Sequence, residues 1–213
     1  MTTSRLEAFS DGVLAIIITI MVLELHEPEG HDLAALWHTT GSSLLTYLLS
    51  FIYVGIYWTN HHHMFQVTQR VTGGVLWANL SLLFCLSLFP FTTQWMDGTT
   101  IHFARTPVVV YGINLLLAAV TYYTLQTVII RTQGENSALR TAIGSDFKGK
   151  ISPVFYLTGI IAALIGGAGT GWDRPGIWIA GAAYVGAALL WFIPDRRIET
   201  VVTTAFPAEE EQE

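Results

Sequence analysis

The chain has 213 residues, of which 52% are hydrophobic and 12% charged, with a formal net charge of −6. Soluble domains carry about a quarter charged residues, so this composition excludes an ordinary water-soluble domain and points to lipid. The single cysteine, Cys85, excludes an intrachain disulfide and offers no basis for redox chemistry.

Roughly 19 to 20 apolar residues cross the hydrocarbon core of a bilayer. Six windows of this kind cover nearly the whole chain, at about 8–25, 44–64, 75–95, 107–130, 154–168 and 177–193. The expected fold is an all-α membrane protein with one six-helix transmembrane domain over residues 1–195. An acidic cytoplasmic tail, 196–213, follows and ends in PAEEEQE.

The first window, RLEAFSDGVLAIIITIMVLEL, crowds its polar residues at one end and then carries no charge until Glu24. Acids at Glu7 and Asp11, and no small-residue cleavage pattern after the apolar run, argue against a cleaved signal peptide. At about 100° per residue, Arg5, Gly12, Ile16, Thr19, Ile20 and Leu23 fall along one stripe, while Ser10 and Asp11 turn toward neighbouring faces. A carboxylate one to two turns inside the membrane end needs a partner on another helix or water. A charge snorkelling to the interface fits the same spacing.

The second window ends in YWTNHHHMF, residues 57–65. Consecutive histidines point in different directions, and a helical metal pair needs i and i+4 spacing, so hydrogen-bonding roles for Asn60, His61 and His62 are preferred to a metal site. These residues lie at the depth of Ser10 and Asp11, and Asn79 opens the third helix nearby. A polar network between the first helices is the natural consequence. The interval 131–150 is long enough for an amphipathic surface helix at most. The last two windows place small residues four apart, as at Ala182 and Gly186 or Ala183 and Ala187, which lets helix backbones approach closely in lipid. GGAGTG near their junction lacks the Gly-Lys-Ser/Thr of a phosphate loop and reads as a turn.

Cytoplasmic loops retain positive charge. With the N-terminus inside, Arg5, Arg70, Arg131, Arg140, Lys148, Lys150, Arg196 and Arg197 are internal, and only Arg105 and Arg174 are external. Trp37, Trp95 and Trp172 sit near the outer ends, where amphipathic rings favour the interface. Both termini are therefore expected in the cytoplasm of a cell carrying the protein in its inner or plasma membrane.

RLEAFSDGVLAI contains an Arg-x-x-x-Phe-Ser-Asp signature, followed by WTNHHHMF, LWANLSLLF and LFPFTT. Together these motifs resemble the prokaryotic transmembrane protein 175 family of potassium channels. The similarity covers the first three helices by motif and the remaining three by hydropathy. It departs from the family at the third histidine, His63, and at Thr72.

The resemblance implies a homotetramer of six-helix subunits whose first helices surround a central pore. Arg5, Phe9, Ser10 and Asp11 would fix the base of that helix, with Asn60, His61, His62 and Asn79 as partners. Ile16 would be the principal constriction, Thr19, Ile20 and Leu23 would line the path above it, and potassium would pass near Ile16 and Thr19. The expected function is a potassium-preferring cation channel without catalytic residues or cofactor. Its partners would be membrane lipids and its own copies, with neither nucleic acid nor a small-molecule substrate. TVGYG is absent, so selection would rest on side chains rather than stacked carbonyls, and no helix carries the periodic arginines of a voltage sensor. A leak-like channel follows. A proton-coupled transporter using Asp11 and the histidines is the alternative, weakened because such sites lie near the midplane in broken helices. An embedded hydrolase ranks last, since no nucleophile elbow or paired carboxylates accompany Asp11.

Overall fold

The computed structural model describes residues 2–97, 104–134, 137–144, 146–166 and 173–192. Among these residues it is all-helical. Its elements are α1 (Thr3–Leu23), α2 (Leu33–Gln66), α3 (Gly73–Ser87), α4 (Phe89–Asp97), α5 (Arg105–Gln133), α6 (Ala138–Ile143), α7 (Phe147–Ile165) and α8 (Asp173–Phe192). Counting α3 and α4 as one span, six helices among the described residues are long and apolar enough to cross a membrane. The acidic tail, Trp172 and most of the GGAGTG turn lie outside the described residues.

Helix α2 begins at Leu33 rather than near residue 44, and the physical reason is its cap. The Asp32 side chain accepts a hydrogen bond from the Ala35 backbone N–H at 2.7 Å, so His38, Thr39 and Thr40, which read as loop, continue a helix. At 1.5 Å per residue, a helix of 34 residues is longer than the hydrocarbon core is thick. The third span is also less regular than its hydropathy suggests. It breaks at Leu88, two residues before Pro90, and restarts as α4 with the Thr92 N–H donating to the Leu88 carbonyl at 3.0 Å.

The core is assembled by α5, which packs on α3, α4, α7 and α8, while α7 and α8 pair closely. The Tyr184 ring of α8 fills a notch formed by Gly112 of α5 and Gly159 of α7, where an added Cβ would overlap the ring. Of the small-residue pairs, Ala183 and Ala187 are buried in this contact, whereas Ala182 is exposed. Polar side chains stitch the helices further. Ser50 of α2 hydrogen-bonds with Thr93 of α4 at 2.7 Å and Tyr111 of α5 at 3.0 Å, and the Tyr53 hydroxyl donates to the Tyr184 carbonyl at 2.6 Å. Between α5 and α7 the described residues form the short α6 of 6 residues, and the Gln133 amide N–H donates to the Val67 carbonyl at 2.8 Å, tying the α5 end to the α2–α3 turn.

Helix α1 packs on α2, α3 and α4 with one stripe only. Leu6, Ser10, Leu14, Ile17 and Met21, spaced at three and four residues, are buried. This single-sided burial determines where every candidate residue on α1 points.

Candidate functional site

The base of α1 is held by three sets of polar contacts to α2 and α3. The innermost is a directed chain. The His61 Nε2–H donates to Asn79 Oδ1 at 2.8 Å, the Asn79 amide N–H donates to Ser10 Oγ at 3.0 Å, and the Ser10 hydroxyl donates to the Leu6 carbonyl at 2.9 Å. Ser10 and Asn79 are 0% exposed and His61 1% exposed. Donation from Nε2 leaves Nδ1 of His61 without a proton or a partner, which suits a neutral imidazole stacked on Phe65 with ring centroids 4.4 Å apart. Hydrogen bonds running in one direction through a low-dielectric interior polarise one another, so this chain is stronger than three separate bonds.

The second and third contacts form a ladder between α1 and α2. Glu7 accepts from His62 Nδ1 at 2.7 Å, and one turn further Asp11 Oδ1 accepts from the Trp58 indole N–H at 3.0 Å. Glu7 and Asp11 are four apart on α1, as Trp58 and His62 are on α2, so two facing helical pairs meet rung by rung. Trp58 also stacks on His62 at 6.2 Å, and Gln66 hydrogen-bonds the other ring nitrogen of His62 at 2.9 Å. Glu7 and Trp58 were not among the residues expected from sequence. The signal was present in the matched i, i+4 spacing, but it is meaningful only once the two helices are known to be antiparallel neighbours.

Not every expected partner joins this cluster. The Asn60 amide N–H donates to the Ile56 carbonyl at 2.7 Å, and Asn60 lines a separate small cavity with Tyr122, Gln126 and Asp146. Successive positions on α2 diverge by about 100°, so His61 and His62 meet α1 and α3 while Asn60 turns away. Arg5 and Phe9 are exposed, and Arg5 has no hydrogen bond or ion pair within the subunit among the described residues. His63 Nδ1 is buried without a partner. No group of three or more potential metal-ligating side chains occurs among the described residues.

The opposite face of α1 is largely exposed among the described residues. Ile16 is 59% and Leu23 81% exposed, and Phe9, Thr19 and Ile20 lie on the same bare stripe. Gly12 belongs to it, and no atom comes within 4 Å of a Cβ placed there. The Thr19 hydroxyl donates back to the Ala15 and Ile16 carbonyls at 3.0 and 2.9 Å, which leaves its oxygen lone pairs turned outward as acceptors. Beyond the C-terminal end of α1 lies an open cavity of about 880 Å³, lined in part by Glu24, Glu27, Glu29, His26 and His38. Partial burial pushes the Glu24 carboxyl above the ordinary carboxylate range.

Comparison with known proteins identifies relatives of this chain. The family described as endosomal/lysosomal potassium channel TMEM175 matches residues 5–90, the segment that holds α1, the ladder and Asn79. A potassium channel of Chryseobacterium sp. (strain P1-3) is 55% identical over 199 residues, covering 93% of this chain and 97% of that one. The Homo sapiens endosomal/lysosomal proton channel TMEM175 is 36% identical over 119 residues, covering 50% of this chain and 23% of its own length. Among solved structures, the crystal structure of a lysosomal potassium-selective channel TMEM175 homolog from Chamaesiphon minutus superposes with a TM-score of 0.72 at 27% identity, covering 91% of this chain and 97% of that one. With near full-length identity of this order and the same six-span fold, the chain belongs to the TMEM175 family.

Proposed function

We propose that this chain is the subunit of a potassium-permeable channel in which four α1 helices line a central path. The observation that carries the reading is the division of α1. One face is locked to α2 and α3 through Ser10, Asn79 and His61, and the other, with Gly12, Ile16, Thr19, Ile20 and Leu23, is left exposed by the described residues of its own subunit. A helix of 21 residues is about as long as the hydrocarbon core is thick, so one such face from each subunit is sufficient for a transmembrane path. The names of the bacterial relatives support potassium as the permeant ion.

Ile16 is the proposed constriction. Four isoleucines on the axis form an apolar ring that an ion crosses partly dehydrated, and Thr19 one turn above supplies hydroxyl oxygens that replace some of the lost water. The polar base does not touch the ion in this reading. Its task is to set the rotation and tilt of α1, so that Ile16 and Thr19 reach the axis together. Permeation needs no cofactor and no catalytic group. Both termini are assigned to the cytoplasm, with the acid-lined cavity near Glu24 opening outside.

Purified protein reconstituted into potassium-loaded liposomes tests the function. Potassium efflux should be passive, need no second solute and not saturate as an alternating carrier does. Strict coupling of efflux to proton entry would overturn the channel reading. Mass measurement of the active detergent-solubilised sample should give a tetramer, and an active monomer would contradict the axial path.

A further inference from the structure

If four α1 faces meet on one axis, the surfaces flanking α1 must meet as well, and the two flanks of this subunit are unlike each other. Helix α1 packs on α2 to one side and on α3 and α4 to the other. We infer that the exposed face of α3 and α4 docks on the exposed face of α2 of a second copy of this chain, with Leu80 and Phe84 seated at Thr59 and Gly55. The inference rests on the channel reading above and names the contact that closes its ring.

Shape is the first argument. The α3–α4 flank is a row of knobs, with Trp77, Leu80, Phe84, Phe91 and Trp95 exposed and Phe84 by 65%. Their exposed apolar area is on the order of 500 Å². A stable interface takes roughly 800 Å² per partner, so this row together with the edge of α1 reaches that size. The α2 flank carries a notch instead. Outside its own helix backbone, no described atom lies within 4 Å of a Cβ placed on Gly55. The exposed Thr59, one turn on, donates its hydroxyl back to the Gly55 carbonyl at 3.0 Å. That bond satisfies the hydroxyl within α2 and leaves a small surface that another helix can approach closely. Two unlike surfaces make a head-to-tail contact, which generates a ring when the rotation closes.

Depth is the second and independent argument. Rotation about an axis along the membrane normal carries each residue to the same depth in the next copy. As consecutive spans joined by the turn 67–72, α2 and α3 run in opposite directions. Gly55 lies eleven residues from the turn end of α2, and Phe84 lies eleven from the turn end of α3. Both are therefore about 16 Å above the turn. Thr59 and Leu80 each lie seven residues from the same ends. Two knobs four apart thus face a notch whose two members are four apart, at matching heights. Lipid chains impose no such match between two faces.

The test uses the full-length protein in membranes, with Cys85→Ser removing the native thiol. The double variant Gly55→Cys with Phe84→Cys, oxidised with copper phenanthroline, should shift from monomer to a ladder of dimer, trimer and tetramer on denaturing gels. Either single variant should stay monomeric, and the two single variants co-expressed should give a dimer containing one of each. Should Gly55→Cys fail to fold, Thr59→Cys with Leu80→Cys reads the same contact. A dimer from one single variant alone overturns the inference, because the face then meets itself. A ladder of equal strength from Phe84→Cys with Leu189→Cys, on α8, also overturns it, since the bonds then record random collision. Double variants that are tetrameric on native mass measurement and pass potassium, yet stay monomeric on the gel, overturn this contact and leave the channel reading standing. Wild type without a tetramer overturns the channel reading and this contact with it.

Discussion

Helices α1 and α8 each expose a long face among the described residues, and they differ in what lies around and behind it. On α8 the large exposed residues are Trp178, Ile179, Val185, Leu189 and Phe192, with the small Ala182 and Gly181 beside them, and the buried side is Tyr184 with alanines packed on α7. On α1 the bare face mixes Ile16, Ile20 and Leu23 with Gly12 and Thr19, and the reverse side is pinned by a buried chain of hydrogen bonds. Lipid tails need only an apolar surface, and α8 supplies one. An outward hydroxyl is of no use to lipid, and a face that lipid covers has no need of a fixed rotation. The difference separates a lipid-facing helix from one whose orientation is specified.

The comparison predicts a graded set of effects. Asn79→Leu should be the most damaging change, because it strands the buried His61 N–H and removes the donor to Ser10 Oγ, whose own hydroxyl keeps its bond to the Leu6 carbonyl. The stranded N–H costs about 1 to 3 kcal/mol, less where relaxation finds a new partner. The expected outcome is loss of tetramer on native mass measurement. Asp11→Ala should come next. It removes the carboxylate that receives the Trp58 N–H and should reduce assembly or open-state current more than it alters ion preference, measured as current amplitude against reversal potential. A large selectivity change with intact assembly would instead give Asp11 an ion-binding role.

Thr19→Val should have a smaller effect, lowering potassium over sodium preference in bi-ionic recordings without enlarging the current, since it removes hydroxyl oxygens while keeping the side-chain shape. Leu189→Ala on α8 should be nearly silent in both assembly and current. If it matched Asn79→Leu, the distinction between the two bare faces would collapse.

Much of the architecture was legible before the structure. Charge deficit and hydropathy fix six spans because lipid tolerates few alternatives to a helix. The stripe on α1 was visible because 3.6-residue periodicity alone decides which residues share a face. The end of α2 was not, because His38, Thr39, Thr40 and Gly41 are poor helix signals whose conformation is decided by the Asp32 cap. The break at Leu88 hides inside a continuous apolar run. At the polar base, sequence identified the correct helix ends but not the pairing. Asn60, His61 and His62 are adjacent in the chain, yet their side chains diverge, and only the packing of α1, α2 and α3 decides that His61 meets Asn79, His62 meets Glu7 and Asn60 meets neither.

The central claim is that the bare face of α1 surrounds the ion path with Ile16 at its narrowest point. Ile16→Asn tests it most directly. Four amides in place of four isoleucines would wet the constriction and offer oxygens to any cation. Current amplitude and bi-ionic reversal potential should be measured together in a reconstituted bilayer, on protein shown to be assembled. The account predicts larger currents and a reversal potential shifted toward equal permeability for potassium and sodium. Wild-type values for both would mean that Ile16 does not face the path and that α1 is rotated otherwise than proposed.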